Sequence, residues 1–534
     1  MPTTQPRVLA IDLGTSACKA AVIAPGGEVL AVGRAAVETL RLSGDGAEQD
    51  PEQVWQAVRA ACRTAIAGSG AAAGIVGIGI CSQYSSIIPV DEEGLPTMNM
   101  ILWQDKRGAP EALARQGAGR GLHDGWLRKL QWLRIHGIPP LDSGIDSLAH
   151  MRFVKVVRPD VYARTHAFLE PADYLALRLT GRMASNPCSA FLTLLVDNRR
   201  LQRPRYHPSL VAYSGIDPAK LPELLSVDAQ IGPVLAHVAA DLGLPAGVRV
   251  WAPVNDTQAA GMGSGAFRGD HAGISIGTTS VMVTHVDAQR TDIRNSIVSM
   301  PSPIPGIFLV MAENGIGGRA LEYFLERLVF SADGFADHDL EEKFAALHRA
   351  VAEVEPGSGG VLFLPWLTGS MSPAEDGRVR GGFLNISLET GRPHLGRAVL
   401  EGVAMNFRWL KGPTEGFARR SFSHLYFYGG GARSDLWAQI IADVLQLPVH
   451  QAADPEFVAC RGLGFLVLHR HGLLTLDAIA NRVPTAAVRA PRRELAARYD
   501  LMFQQFVRAF RVNRSIFRAL HPLQGRQAQE PRDD

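Results

Sequence analysis

Five cysteines, 7% aromatic residues and a net charge of only +2 are all that this 534-residue chain holds in those categories. Each shortage narrows what the protein can be. Cys18, Cys62, Cys81, Cys188 and Cys460 are scattered, with no CxxC pair and no histidine at ligand spacing. That argues against a zinc site or a disulfide framework and for a reducing, cytoplasmic setting. Lysine and arginine are spread rather than massed, so the basic patch that a nucleic-acid partner needs is missing. No apolar run reaches the ~20 residues of a membrane span, and MPTTQPR, ahead of the first expected strand, holds no signal-peptide core. A GxxxxGK[ST] phosphate loop is absent as well. What is present, 46% hydrophobic and 20% charged residues, is ordinary globular composition, in a chain too long for one core.

The stretch VLAIDLGTSACKAAVI, residues 8–23, alternates like a strand, breaks at Gly14-Thr15-Ser16 and resumes as a second strand. A tip of this kind offers backbone N–H groups and hydroxyls to a phosphate, and Asp12 just before it could hold a cation. An ordinary turn would look the same. Residues 273–286, GISIGTTSVMVTHV, lie on it without a gap: Ile11 meets Ile274, Leu13 meets Ile276, Gly14 meets Gly277, and Thr15 meets Thr278. Asp12 is matched by Ser275, so only the first copy carries a carboxylate. The echo implies two related domains across a cleft, each lending a phosphate loop.

Other segments fall around these two. Asp50-Pro51-Glu52 starts a helix, and residues 75–91 read as a buried strand ending in the polar loop Ser82-Gln83-Tyr84-Ser85-Ser86, followed by another strand. Strand ends of open α/β sheets present sites there, although a solvated turn fits equally. Trp103-Gln104-Asp105-Lys106-Arg107 is either a surface ion pair or an aromatic wall with a carboxylate for a polyol. Residues 111–150 look irregular, and 248–254 read as one strand running into a small-residue helix. Asp256 at that junction is either the helix cap or a general base. Glu313 to Gly318 reads as a glycine-rich entry to a helix over 319–328, and Gly429-Gly430-Gly431 before Asp435 lets a ligand approach the backbone closely. The polar end, 521–534, is expected to be disordered.

IDLGTSACK, GIGICSQYSS, ILWQDKR, DYLALRLTG, NDTQAAG, SIGTTS, the helix over 395–407 with LEG, and FYGGGARSD occur in that order. Together they resemble the FGGY family of carbohydrate kinases, nearest its xylulokinase-like branch. The resemblance implies an α/β fold of two actin-like (ribonuclease H-like) domains facing each other across a nucleotide cleft, here 7–265 and 270–520. It implies ATP and magnesium, with Asp12 and Asp256 at the metal and Asp256 as catalytic base. Gly14, Thr15, Ser16, Lys19, Gly277, Thr278, Gly315, Gly430, Gly431 and Asp435 match nucleotide positions, while Gln83, Tyr84, Ser85, Trp103, Asp105 and Asp256 match the acceptor site. The partner is then a small sugar or polyol, a pentulose such as xylulose above glycerol, and a homodimer is left open. Tyr84-Ser85 stands where xylulokinases carry Met-His, so the acceptor is the open question. An actin-like ATPase without a sugar acceptor is the reading from another class.

Overall fold

The computed structural model describes residues 5–70, 72–116, 125–329 and 340–526. Its first sheet grows from the opening hairpin. Arg7–Leu13 and Ala17–Ile23 pair antiparallel, and Val29–Ala36 continues the meander. The chain then crosses through the helix Pro51–Gly68, which Asp50 caps by accepting from the Glu52 and Gln53 N–H groups. It returns as Ile75–Ser82, parallel to Arg7–Leu13, and later adds Arg249–Trp251 and Val254–Asn255 parallel to that strand. The expected single strand over 248–254 is thus two short ones. Pro253, with no N–H to donate, stands in the break.

The second sheet repeats the plan. Ala272–Ile276, Thr279–Val286 and Phe308–Ile316 form an antiparallel meander, and Leu425–Tyr428 and Val449–Ala452 run parallel beside Ala272–Ile276. The outgoing strands match as the sequence echo implies, but the return strands do not. Leu13 pairs with Cys18 around four residues, 14–17, whereas Ile276 pairs with Ser280 around three, 277–279. The second hairpin is one residue tighter, so a gapless alignment misplaces its return strand.

The two halves are locked by helices that follow equivalent strands. Asp256–Gly263 follows Val254–Asn255, and Val458–Arg470 follows Val449–Ala452. They cross at two glycines: a Cβ on Gly263 would lie 1.9 Å from Val458 O, and one on Gly462 would lie 1.8 Å from Ala259 O. The second helix packs on the first half's sheet, where Gly77 and Gly79 make room for Val467 and Leu463. One apolar cluster accordingly joins Ala10, Ile23 and Cys81 to Ala259, Met262, Cys460 and Leu463.

Elsewhere the structure is more regular than the sequence suggests. Across 111–150 run most of the helix Pro110–Arg115, all of Trp126–Ile135 and the start of Ser147–Val157, with 117–124 outside the described residues. Residues 313–316 end the strand Phe308–Ile316, and the helix that follows is Gly318–Tyr323. The last helix, Ala496–Arg526, takes in 521–526 of the segment expected to be disordered, while 527–534 lie outside the described residues.

Candidate active site

Three parallel strand ends bring the reactive groups together. Asp12 pairs with Cys81 across the sheet, and Val254 pairs with Cys81 from the other side, so Asp12 and Asp256 flank one strand end. The Cys81 thiol donates to Asp12 Oδ1 at 3.5 Å, and Lys19 Nζ lies 3.7 Å from Asp12 Oδ2. Asp256 is freed for chemistry by its neighbour. Asn255 caps the helix, accepting the Gln258 N–H at 2.8 Å while Gln258 Oε1 accepts the Asn255 N–H at 3.0 Å. Asp256 takes only the Thr257 N–H and hydroxyl, at 2.6 and 3.2 Å, both on Oδ1. Its enclosed position, and then the negative charge of Asp12, push its pKa up to about 6.

The two hairpin tips close alike. Gly14 N–H bonds Ala17 O at 3.0 Å and Gly277 N–H bonds Thr279 O at 2.9 Å, so each glycine spends its own donor on the turn. Ser16 is exposed at the first tip, and Gly277, Thr278 and Thr279 are exposed at the second. Gly318 N–H also donates to Gly277 O at 2.7 Å, fixing the second tip against the following helix.

Beside the second tip opens a cleft of about 580 Å³, lined by Gly277, Thr278, Leu321, Phe344, His348, Gly430, Gly431 and Glu456 among others. The three glycines divide their work. A Cβ on Gly429 would meet Ile276 O at 2.8 Å and one on Gly431 would meet Ile276 Cβ at 2.8 Å, so both serve close packing. A Cβ on Gly430 would meet nothing within 4 Å. Lys19 Nζ donates to the backbone carbonyl of Glu456, on the cleft wall, at 3.5 Å and lies 3.7 Å from Asp12 Oδ2, so it links that wall to the Asp12 strand end.

A nucleotide-sized cleft linked by Lys19 to paired carboxylates between duplicated sheets is matched by family. Residues 7–263 match the N-terminal domain, and 272–466 the C-terminal domain, of the FGGY family of carbohydrate kinases. The chain belongs to that family. It is a carbohydrate kinase, a phosphotransferase with an alcohol group as acceptor, and the non-kinase ATPase reading falls away. A xylulose kinase of Bacillus subtilis is 26% identical over 518 residues, covering 96% of this chain and 98% of its own. A glycerol kinase of Alkalilimnicola ehrlichii is 28% identical over 466 residues, covering 85% and 88%. Among solved structures, a xyloylose kinase from Brucella ovis superposes with a TM-score of 0.81 at 27% identity, covering 96% of this chain and all of its own.

On the acceptor side this FGGY kinase departs from the expected roles in places. Asp105 is fully buried, and its oxygens are taken by the Ala47 N–H at 3.0 Å, the Arg107 N–H at 2.9 Å and the Arg107 guanidinium at 2.6–3.1 Å. As placed, it braces the loop that carries Trp103 instead of facing the cleft. Ser85 adopts a left-handed φ of 62° and turns its hydroxyl to Ile145 O. Tyr84 spans the halves, its hydroxyl 2.8 Å from Met300 Sδ, and burial, with smaller contributions from Cys188 and Asp256, holds its pKa well above the ordinary range. Gln83 Nε2 is buried without a partner.

Of the nucleotide-side residues, Gly14, Thr15, Ser16 and Lys19 of the first hairpin, and Gly315 and Asp435 of the second half, stand apart from the cleft lining. Asp435 pairs with Arg489 at 2.8 Å and accepts from Gln451 at 3.0 Å, and Gly315 sits within a strand opposite Ser280 at a register shift. Sequence reasoning missed Asn255, Phe344, His348 and Glu456. The spacing of Asn255 and Gln258 was a visible capping signature; nothing local marks the other three, which reach the cleft only through the fold.

Proposed function

We propose that this kinase transfers the γ-phosphoryl group of ATP to a hydroxyl of a ketose, a pentulose of the xylulose class, in the cytoplasm. The observation that carries the reading is the release of Asp256 from capping at a strand end that it shares with Asp12, beside the first Gly-Thr tip. In this proposal Asp256 Oδ2 takes the acceptor proton as the acceptor oxygen bonds to the γ-phosphorus and the bond to the departing ADP oxygen breaks. Exposed Ser16 and Thr278, with Lys19, receive the phosphates from the two tips. The ring and sugar of the nucleotide lie against Gly430 and the wall of Leu321 and Phe344.

Asp12 and Asp256 feel each other's charge, and no group of three or more ligating side chains gathers among the described residues. That donor set fits magnesium, which keeps to one or two carboxylates plus phosphate and water. Bound there with the nucleotide, it would neutralise phosphate charge. The assignment to the cytoplasm is supported by five free, buried cysteines.

Xylulose kinases and a glycerol kinase match at similar identity, so the acceptor is decided by assay. Acceptor-dependent ADP release across pentuloses, hexuloses, alditols and glycerol should be fastest with a pentulose. Preference for glycerol or an alditol would overturn the acceptor assignment and leave the kinase intact.

A further inference from the structure

Thr15 stands at the first phosphate tip, yet its hydroxyl is bonded on the other side. Trp103 Nε1–H donates to Thr15 Oγ1 at 3.1 Å, and Thr15 Oγ1–H donates to Gln83 Oε1. The backbone is held too: Gln49 Nε2–H donates to Thr15 O at 2.6 Å and to Thr39 Oγ1 at 3.0 Å. Trp103 N–H donates to Ser86 Oγ at 3.1 Å, and Gln83 N–H to Leu13 O at 3.1 Å.

The direction of this chain follows from the groups themselves. An indole N–H is a donor only, so Thr15 Oγ1 must accept from Trp103. The Gln83 amide turns its carbonyl oxygen to this hydroxyl, so the one hydroxyl proton goes there. In that orientation Gln83 Nε2, buried and without a partner among the described residues, is the amide's free donor. With its proton spent, the Thr15 hydroxyl has nothing to donate to a phosphate oxygen.

We infer that Thr15 is a positioning residue of the acceptor site: through the relay Trp103–Thr15–Gln83 it sets the Gln83 amide group to donate to an acceptor oxygen, and it ties that amide to the first phosphate tip. The inference rests on the kinase reading for the identity of the acceptor. It assigns to the hydroxyl a different side of the reaction from the one that the sequence resemblance implies. A carbonyl or hydroxyl oxygen of the sugar is the group Gln83 Nε2 would take.

The test compares Thr15→Val, which keeps the shape and removes the relay, with Thr15→Ser, which keeps the hydroxyl. Thr15→Val should raise the acceptor KM by ~10-fold or more, the cost of about one hydrogen bond, with the ATP KM moving far less. Thr15→Ser should restore the acceptor KM to within ~3-fold of wild type. An ATP KM that rises as much as the acceptor KM, or a serine variant no better than valine, would overturn the inference. ADP titration without any sugar keeps the two readings apart. If wild type phosphorylates no sugar, the pentulose reading fails; a Thr15→Val variant that loses ADP affinity by ~10-fold or more would separately defeat the relay.

Discussion

Asp256 shows how one neighbour settles a role. In NDTQ the sequence leaves the aspartate between cap and base, and the structure gives the cap to Asn255 through its reciprocal bonds with Gln258. The enclosure and the Asp12 charge favour the protonated form, so the pKa rises to about 6 and ionised base is lost on the acid side. The acid limb of kcat/KM against pH should therefore fall with a midpoint near that value. Residual activity of Asp12→Asn should place the limb at lower pH, because a repelling charge is gone. A limb that stays put would remove Asp12 from that role. Asp105 is the opposite case: its residue type was legible and its engagement was not, since only the folded loop places Arg107 and the Ala47 N–H on it. Arg107→Leu would strand a buried carboxylate, costing about 3 kcal/mol or more. A lowered Tm measures this, and an unchanged Tm would contradict it.

At the scale of elements, the hairpin echo was the most legible feature of the chain. Alternation of apolar residues and the Gly-Thr tips are local properties, and both hairpins form where the pattern puts them. The one-residue difference in tip length was hidden, because register depends on pairing partners and not on the alternating pattern itself. The triple glycine shows the same limit. Its flexibility was evident, yet only packing against Ile276 separates Gly429 and Gly431 from Gly430. Gly430→Val should leave Tm near wild type and raise the ATP KM roughly tenfold by filling the cleft. Gly431→Val should instead lower Tm through its clash with Ile276. Equal effects of the two substitutions would contradict this division.

The whole molecule is two copies of one plan, clasped by helices exchanged at their crossing. The duplication could be read from the repeated hairpin. The clasp could not, since nothing in residues 458–470 states which sheet they will cover. Gly462→Leu should cost about 3 kcal/mol or more, because its Cβ would fall within 1.8 Å of Ala259 O and the helices would have to part. That loss should appear as a lower Tm and as slower acceptor-dependent ADP release, since the same crossing positions Asp256. The central claim, that Asp256 is the base at this clasp, is tested most directly by acceptor-dependent ADP release from Asp256→Asn with ADP binding checked in parallel. The account predicts a rate lower by ~100-fold or more with ADP still bound; a rate within a few-fold of wild type would contradict it.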